Sequence, residues 1–375
     1  MTSRMLFKPS PGNTVGVEWE LQLLDPESLD LYDGIIPLME FFPTAQYVKP
    51  EFIQSCVELN SCIAANSEVA VAHLRGTLKK LLQRCTELGM GLCGAGTHPA
   101  CRRLALITPL PRYQQILDIG GYLAYTQITF STHVHVGLHS GDEAMRAMSR
   151  LIPVMPALLA VSANSPFWRG HETGYAAYRP RILAAAPTYG LPTRFDDWAA
   201  FDTFLGAARK ASMIETFKDL HWDIRPHPDF GTLEIRVMDA ASDLETLKGL
   251  VAFARCLVLQ AVRASDPEIA EAFPPKLPYW CEKQNRFRAS LRGLDAEFIV
   301  SPDGSNRPMR DVIADLLDFC EPVAAEVGDT AGLAIARGML TRKPGYQLQI
   351  EAYRQDDSAR SIVNMLQQSL LSVTD

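Results

Sequence analysis

The sequence predicts an α+β fold, one sheet with helices interleaved along the chain, and three observations carry that prediction. Four short stretches alternate apolar and polar residues with period 2, as a strand does when one face joins a core. Helical patterns, several with capping residues at their starts, run between and after them. The strand-like stretches lie at both ends of the first 240 residues, with no linker or internal repeat between them. One domain over residues 1–375, mostly helical from about 282, is therefore more economical than two separate ones.

The first strand is Val15 to Leu24, VGVEWELQLL, with Val15, Val17, Trp19, Leu21 and Leu23 on one face and Glu18, Glu20 and Gln22 on the other. Asp25-Pro26 then turns into a less regular stretch through Pro50, where Phe41, Phe42 and Tyr47 read as core packing. In Cys56 to Cys62, CVELNSC, Val57 and Leu59 oppose Glu58 and Asn60. Ser67 is the expected N-cap of a helix with apolar positions from Val71 to Leu88, stopped at Gly89. Gly91 to Pro99, GLCGAGTHP, lacks dinucleotide-binding spacing and reads as a strand followed by a loop of close backbone approach. His98 in that loop is either a site residue or an anchor.

Arg112 to Tyr122 is an expected helix leading into Thr132 to Leu138, THVHVGL, where Val134 and Val136 oppose His133 and His135. Asp142 to Met155 is another, interrupted at Pro153 and Pro156. The long aromatic and basic segment Asn164 to Arg181 is expected to act as a loop closing over substrate. After a helix over Asp197 to Phe217 comes HWDIRPHPDFGTLEIRVMD, from His221 to Asp239. Leu233, Ile235 and Val237 take its core face, and Thr232, Glu234 and Arg236 the other. A turn through Pro228, Asp229 and Gly231 would bring Arg225 beside Glu234 and Arg236. Ser242 to Glu245 reads as a capping box for a helix through Val262. A later helix carries Asn285, Arg286 and Arg288. Asp311 to Leu371 is amphipathic helix, its last part structural or a homodimer contact.

A net charge of -7 and a pI near 5.7, without any Lys/Arg cluster, argue against a nucleic-acid partner. The start, MTSRMLFKPSPGN, has no apolar core of a secretory signal. The greasy run near Ile152 to Ala163 holds two prolines and is too short to span a bilayer, so no membrane partner and a cytoplasmic location are expected. Eight cysteines without C-x-x-C spacing fit reduced thiols, and no P-loop motif occurs. If the four strands share a sheet, Glu18, Glu20, Glu58, His133, His135, Arg225, Glu234 and Arg236 collect on one surface. Oxygen donors with an imidazole suit Mg²⁺ or Mn²⁺, and arginines beside them suit a phosphoryl group. The competing reading of each strand alone is a solvated charged face.

The motifs VGVEWELQLLDPES, GAGTHP, HVHVGL, ANSPFWRGHETGYAAYRP, WDIRPHPDFGTLEIRVMDA and KQNRFRASLRGLDA follow in order from about Val15 to Asp295. Together they resemble the carboxylate–amine ligases of the glutamate–cysteine ligase type 2 family. The resemblance implies a glutamine-synthetase-like curved antiparallel sheet, with helices on its convex face and ATP, divalent metal and substrates on its concave face. It implies metal ligands at Glu18, Glu20, Glu58, Glu234 and one histidine, assigned to His135. Arg225, Arg236 and Glu234 are then catalytic, and His133, Arg179, Asn285 and Arg286 contact substrate or ATP. Trp19 departs from the family, where another Glu is common, but by alternation it faces the core. The implied reaction joins a carboxylate such as that of glutamate to an amine such as cysteine, through an acyl phosphate. A phosphotransferase of the same general fold is the main rival, followed by a metal-dependent hydrolase and a metal-binding protein without activity.

Overall fold

The computed structural model describes residues 5–185 and 188–372. Seven strands form its main sheet: β1 (Val15–Leu24), β2 (Val48–Pro50), β3 (Cys56–Asn60), β4 (Gly91–Cys93), β5 (Ser131–Gly137), β6 (Ile224–His227) and β7 (Thr232–Asp239). Their order is β2-β3-β1-β5-β7-β6, with β4 also on β1, and every pairing is antiparallel. The α+β class expected from the sequence is the class observed.

The alternation read from the sequence decides which face each side chain takes, since a slip of one residue would turn the whole set over. Val17, Trp19, Leu21, Val134, Val136, Leu233, Ile235 and Val237 enter one core with the helices. Those helices are α1 (Ser67–Glu87), α2 (Gly141–Leu151), α3 (Met155–Val161) and α4 (Leu244–Arg263). Trp19 is fully buried and donates its indole N–H to the Ala241 carbonyl, 3.0 Å away. Residues 141–161 form a run long and apolar enough to cross a membrane, but most of it is buried in this core. The polar side chains are left on the opposite face of the sheet.

Several local expectations shift when tertiary partners are included. Asn66, not Ser67, caps α1, accepting from the Val69 N–H, while the Ser67 N–H donates to Asp329. Asp243, not Ser242, caps α4, while Ser242 accepts from the Asn164 amide. The helix expected over 112–122 breaks at Gly121, whose φ of +51° separates Pro111–Gly120 from Tyr122–Thr126. The helix from Asp197 ends at Lys210. Phe41 is 42% exposed, beneath the Arg84 guanidinium, and so is not core. His98 is a buried anchor: Nε2 meets the Leu29 carbonyl and Nδ1 accepts from the Ala100 and Cys101 N–H groups. All eight cysteines are free.

The segment from Asn164 to Arg181 is tied down at both ends. The Asn164 N–H and the Ser165 hydroxyl donate to Asp239 Oδ2, and Arg179 Nε donates to Asp239 Oδ1 at 2.9 Å. Gly96 makes room for this junction, because a Cβ there would stand 2.5 Å from the Asp239 carboxyl carbon. Between the ends lies a two-strand hairpin, Phe167–Trp168 with His171–Glu172. Of this segment only Arg179 and Pro180 line the cavity described next.

Candidate active site

A cavity of 340 Å³ lies on the polar face of the sheet. Its floor comes from β1, β3, β5, β6 and β7, and strand register brings the carriers together. Glu18 lies opposite His133, Glu20 opposite Glu58, His135 opposite Glu234, and Arg225 opposite Glu234. The β6–β7 hairpin forms as expected, with Gly231 at φ +64° in its turn. Glu18, Glu20, Glu58, His133, Arg225, Glu234 and Arg236 all line the cavity, whereas His135 does not.

At one end every carboxylate has a cationic or imidazole partner. Glu234, 1% exposed, accepts from Arg225 Nε at 2.8 Å and forms an ion pair with Arg236. Against the cost of burial, these two guanidinium groups hold its carboxyl well below the usual carboxylate range. Arg225 also donates to the Lys218 and Leu220 carbonyls, so its fork is occupied by protein. Arg236 makes its contacts through one terminal nitrogen, to Glu234 and at 3.4 Å to His133. Burial and then Arg236 push His133 down to about 4, so its ring is neutral. His135 goes the other way: Glu234 and Glu18 overcome burial and raise it. Glu18 is held low despite burial, chiefly by His135.

At the other end carboxylates press on one another. Burial, then the facing Glu58, pushes Glu20 up to about 7. Burial and Glu18 raise Glu58, although Lys49 stands 3.7 Å away and Asn60 donates to it at 2.6 Å. Glu51 is raised well above the ordinary range by burial, Glu58 and Glu20. The Ser131 N–H donates to Glu20 at 2.6 Å, a neutral partner.

The remaining expected residues divide. Arg286 reaches the cavity wall while gripping Asp223 with two hydrogen bonds, 2.6 and 2.9 Å. Arg179 lines the wall too, but its guanidinium is engaged by Asp239 and by the Arg236, Val237 and Met238 carbonyls. Asn285 stands apart from the cavity, clamping the Ile299 backbone through both its amide atoms. Sequence reasoning missed Glu51, which sits in an irregular stretch without periodicity, and the Tyr189–His221 pair, stacked at 4.6 Å on the cavity wall. It also missed Asp239, whose three partners lie 60 to 75 residues away.

These donors fit a divalent cation. Glu18, His133 and Glu234 each offer an atom to one locus, all within 4.8 Å of one another. The neutral His133 has a lone pair to give, and His135 does not line the cavity. Glu20, Glu51 and Glu58 are hard oxygen donors whose crowded charge a cation would relieve.

The model of the family described as "Glutamate-cysteine ligase family 2(GCS2)" matches residues 14–362. A protein of Trichormus variabilis named "Putative glutamate--cysteine ligase 2" is 41% identical over 360 residues, covering 96% of this chain and 93% of its own length. A protein of the same name from Mycobacterium bovis is 36% identical over 366 residues, covering 97% and 96%. Among solved structures, the glutamate–cysteine ligase of Francisella tularensis in complex with AMP superimposes with a TM-score of 0.67 at 13% identity, covering 96% of this chain and 89% of that one. A bifunctional glutathione synthetase from Pasteurella multocida gives 0.64 at 15% identity, covering 96% of this chain and 52% of that one. At such identities these two likenesses speak to the fold alone.

Proposed function

The chain belongs to glutamate–cysteine ligase family 2, and from that premise we propose that it joins a glutamate carboxylate to the amine of cysteine through an acyl phosphate. It is an ATP-dependent ligase forming carbon–nitrogen bonds, a carboxylate–amine ligase. The observation that carries the finer reading is the asymmetry of the cavity, with a guanidinium at one end and crowded carboxylates at the other.

A carboxylate does not exchange its oxygen for an amine at neutral pH, because oxide is too poor a leaving group. Phosphorylation supplies a good one, and such transfer depends mainly on positioning and charge neutralisation. Arg236, with one terminal nitrogen on Glu234, presents the rest of its fork to the transferred phosphoryl. Arg225 acts through Glu234, which it orients, rather than by touching phosphate. Glu18, His133 and Glu234 would hold one Mg²⁺ or Mn²⁺, and the mutually repelling carboxylates of Glu20, Glu51 and Glu58 are further oxygen donors for cations. Bound there, the ions supply charge neutralisation for the phosphate oxygens of ATP, which this acidic face would otherwise repel.

ADP release should be measured with Mg²⁺ and ATP across pairs of amino acids. The reading expects release that requires a carboxylate and an amine together, largest for glutamate with cysteine, and amide formed in equal amount. ADP release that ignores both amino acids, or a stable phosphorylated product, contradicts it.

A further inference from the structure

The β6–β7 turn carries a side chain that neither the hairpin nor the chemistry proposed above accounts for. Turns favour glycine, proline and short polar residues, yet Phe230 stands in this one between Asp229 and Gly231, 55% exposed. It lines the cavity together with Phe52, Tyr113, Tyr189 and Trp222. Phe52 and Tyr189 are half-buried and Tyr113 and Trp222 are buried, so Phe230 offers the open ring. Its inner face is already fixed. The ring lies on the His227 imidazole, 4.0 Å between centroids and within 8° of parallel. His227 in turn meets the Phe217 ring edge-on at 4.9 Å and is buried. The Phe230 N–H also donates to His227 Nδ1 at 3.3 Å, so backbone and side chain hold the same partner. One flat apolar face of a rigidly backed ring is left to the cavity.

We propose that Phe230 is the platform on which the adenine base of ATP stacks, an assignment that takes its nucleotide from the ligase reading above. A preorganised ring face is covered best by another flat ring. The reactants of the proposed reaction include one such system, the adenine, since glutamate and cysteine have none. The position suits the phosphoryl transfer as well. The Phe230 ring is 5.8 Å from the His135 ring, and His135 Nε2 is 3.8 Å from Glu234. A base on Phe230 and a terminal phosphate at Arg236 thus share one end of the cavity, with the ribose and the other phosphates between them. Phe230 is a positioning residue. It makes and breaks no bond, so its substitution weakens nucleotide binding and leaves the amino acids alone.

The test is equilibrium binding to the full chain with Mg²⁺, using two probes that share phosphates and differ in the base: ADP and inorganic pyrophosphate. In Phe230→Ala, ADP should bind about 10- to 100-fold more weakly, the size of one base–aromatic stack. Pyrophosphate should bind within about twofold of the parent, and Phe230→Trp should restore ADP. Denaturant unfolding confirms that Phe230→Ala is folded, as expected for a side chain this exposed. Equal weakening of both probes marks damage to the hairpin and overturns the assignment, as does an unchanged affinity for ADP. A parent that binds ADP yet forms no amide with any amino-acid pair overturns the ligase reading and leaves the platform standing. A parent that binds no ADP overturns both.

Discussion

At the Glu234 end of the cavity the carboxylates face guanidinium and imidazole groups, whereas at the Glu58 end three carboxylates face chiefly one another. Both ends stand on the same sheet, a few strands apart, and both are buried. The difference is therefore one of partners, not of solvent. A buried carboxylate with fixed cations is a finished structural unit that also aims a guanidinium. Crowded carboxylates without enough cations are an unfinished one, and their strain is relieved only by something that arrives. The paired end has its charge balanced within the protein, and the crowded end does not.

That contrast can be broken most severely at the paired end. Arg236→Lys keeps the charge but loses the planar fork, and kcat is expected to fall by about 1,000-fold. Steady-state kinetics checks this, and an unchanged kcat would reduce Arg236 to a charge partner of Glu234. The next test sets the two ends against each other in the absence of metal. Glu234→Gln removes the carboxylate partner of the buried Arg225 and the half-buried Arg236 and should destabilise the fold by about 3 kcal/mol. Glu58→Gln removes a repelling charge opposite Glu20 and should stabilise it by about 0.5–1 kcal/mol. Denaturant unfolding of both variants reads the two signs. Adding Mg²⁺ should stabilise the parent and do so less for Glu58→Gln. Two variants moving stability in the same direction would dissolve the comparison.

The smallest effect separates the cavity from its supports. Asn285 holds the Ile299 backbone away from the cavity, so Asn285→Ala should cost about 1–2 kcal/mol of stability. Its KM for ATP should match the parent's. A raised KM would return Asn285 to the ligand contacts that its motif implied.

What the sequence could reveal follows the same physical division. Glu18, Glu20, Glu58, His133 and Glu234 were legible because the pleat forces every second side chain to one face, and apolar neighbours declare which face is buried. The Arg225–Glu234 pair was legible because the turn between them is short. Residues set by distant partners were not. Asp239 looks like the polar end of a strand until Asn164, Ser165 and Arg179 converge on it. Asn66 and Ser67 can both cap a helix, and residue type alone does not say which side chain meets the Val69 N–H. His133 and His135 share a face, so alternation cannot rank them. The register shift between Thr132 and Val134, and the charges around each ring, set them apart.

Activation of the carboxylate by phosphorylation in this cavity requires one of its own oxygens to leave with the phosphate. Glutamate carrying heavy oxygen in both carboxylates, incubated with ATP, Mg²⁺ and cysteine, tests it directly by mass measurement of the products. Phosphorus is attacked by a carboxylate oxygen, and the amine later breaks the bond from carbon to that oxygen. The released inorganic phosphate should therefore carry one labelled oxygen for each amide formed. Amide formed with unlabelled phosphate, or with the label in AMP, would contradict the acyl-phosphate route.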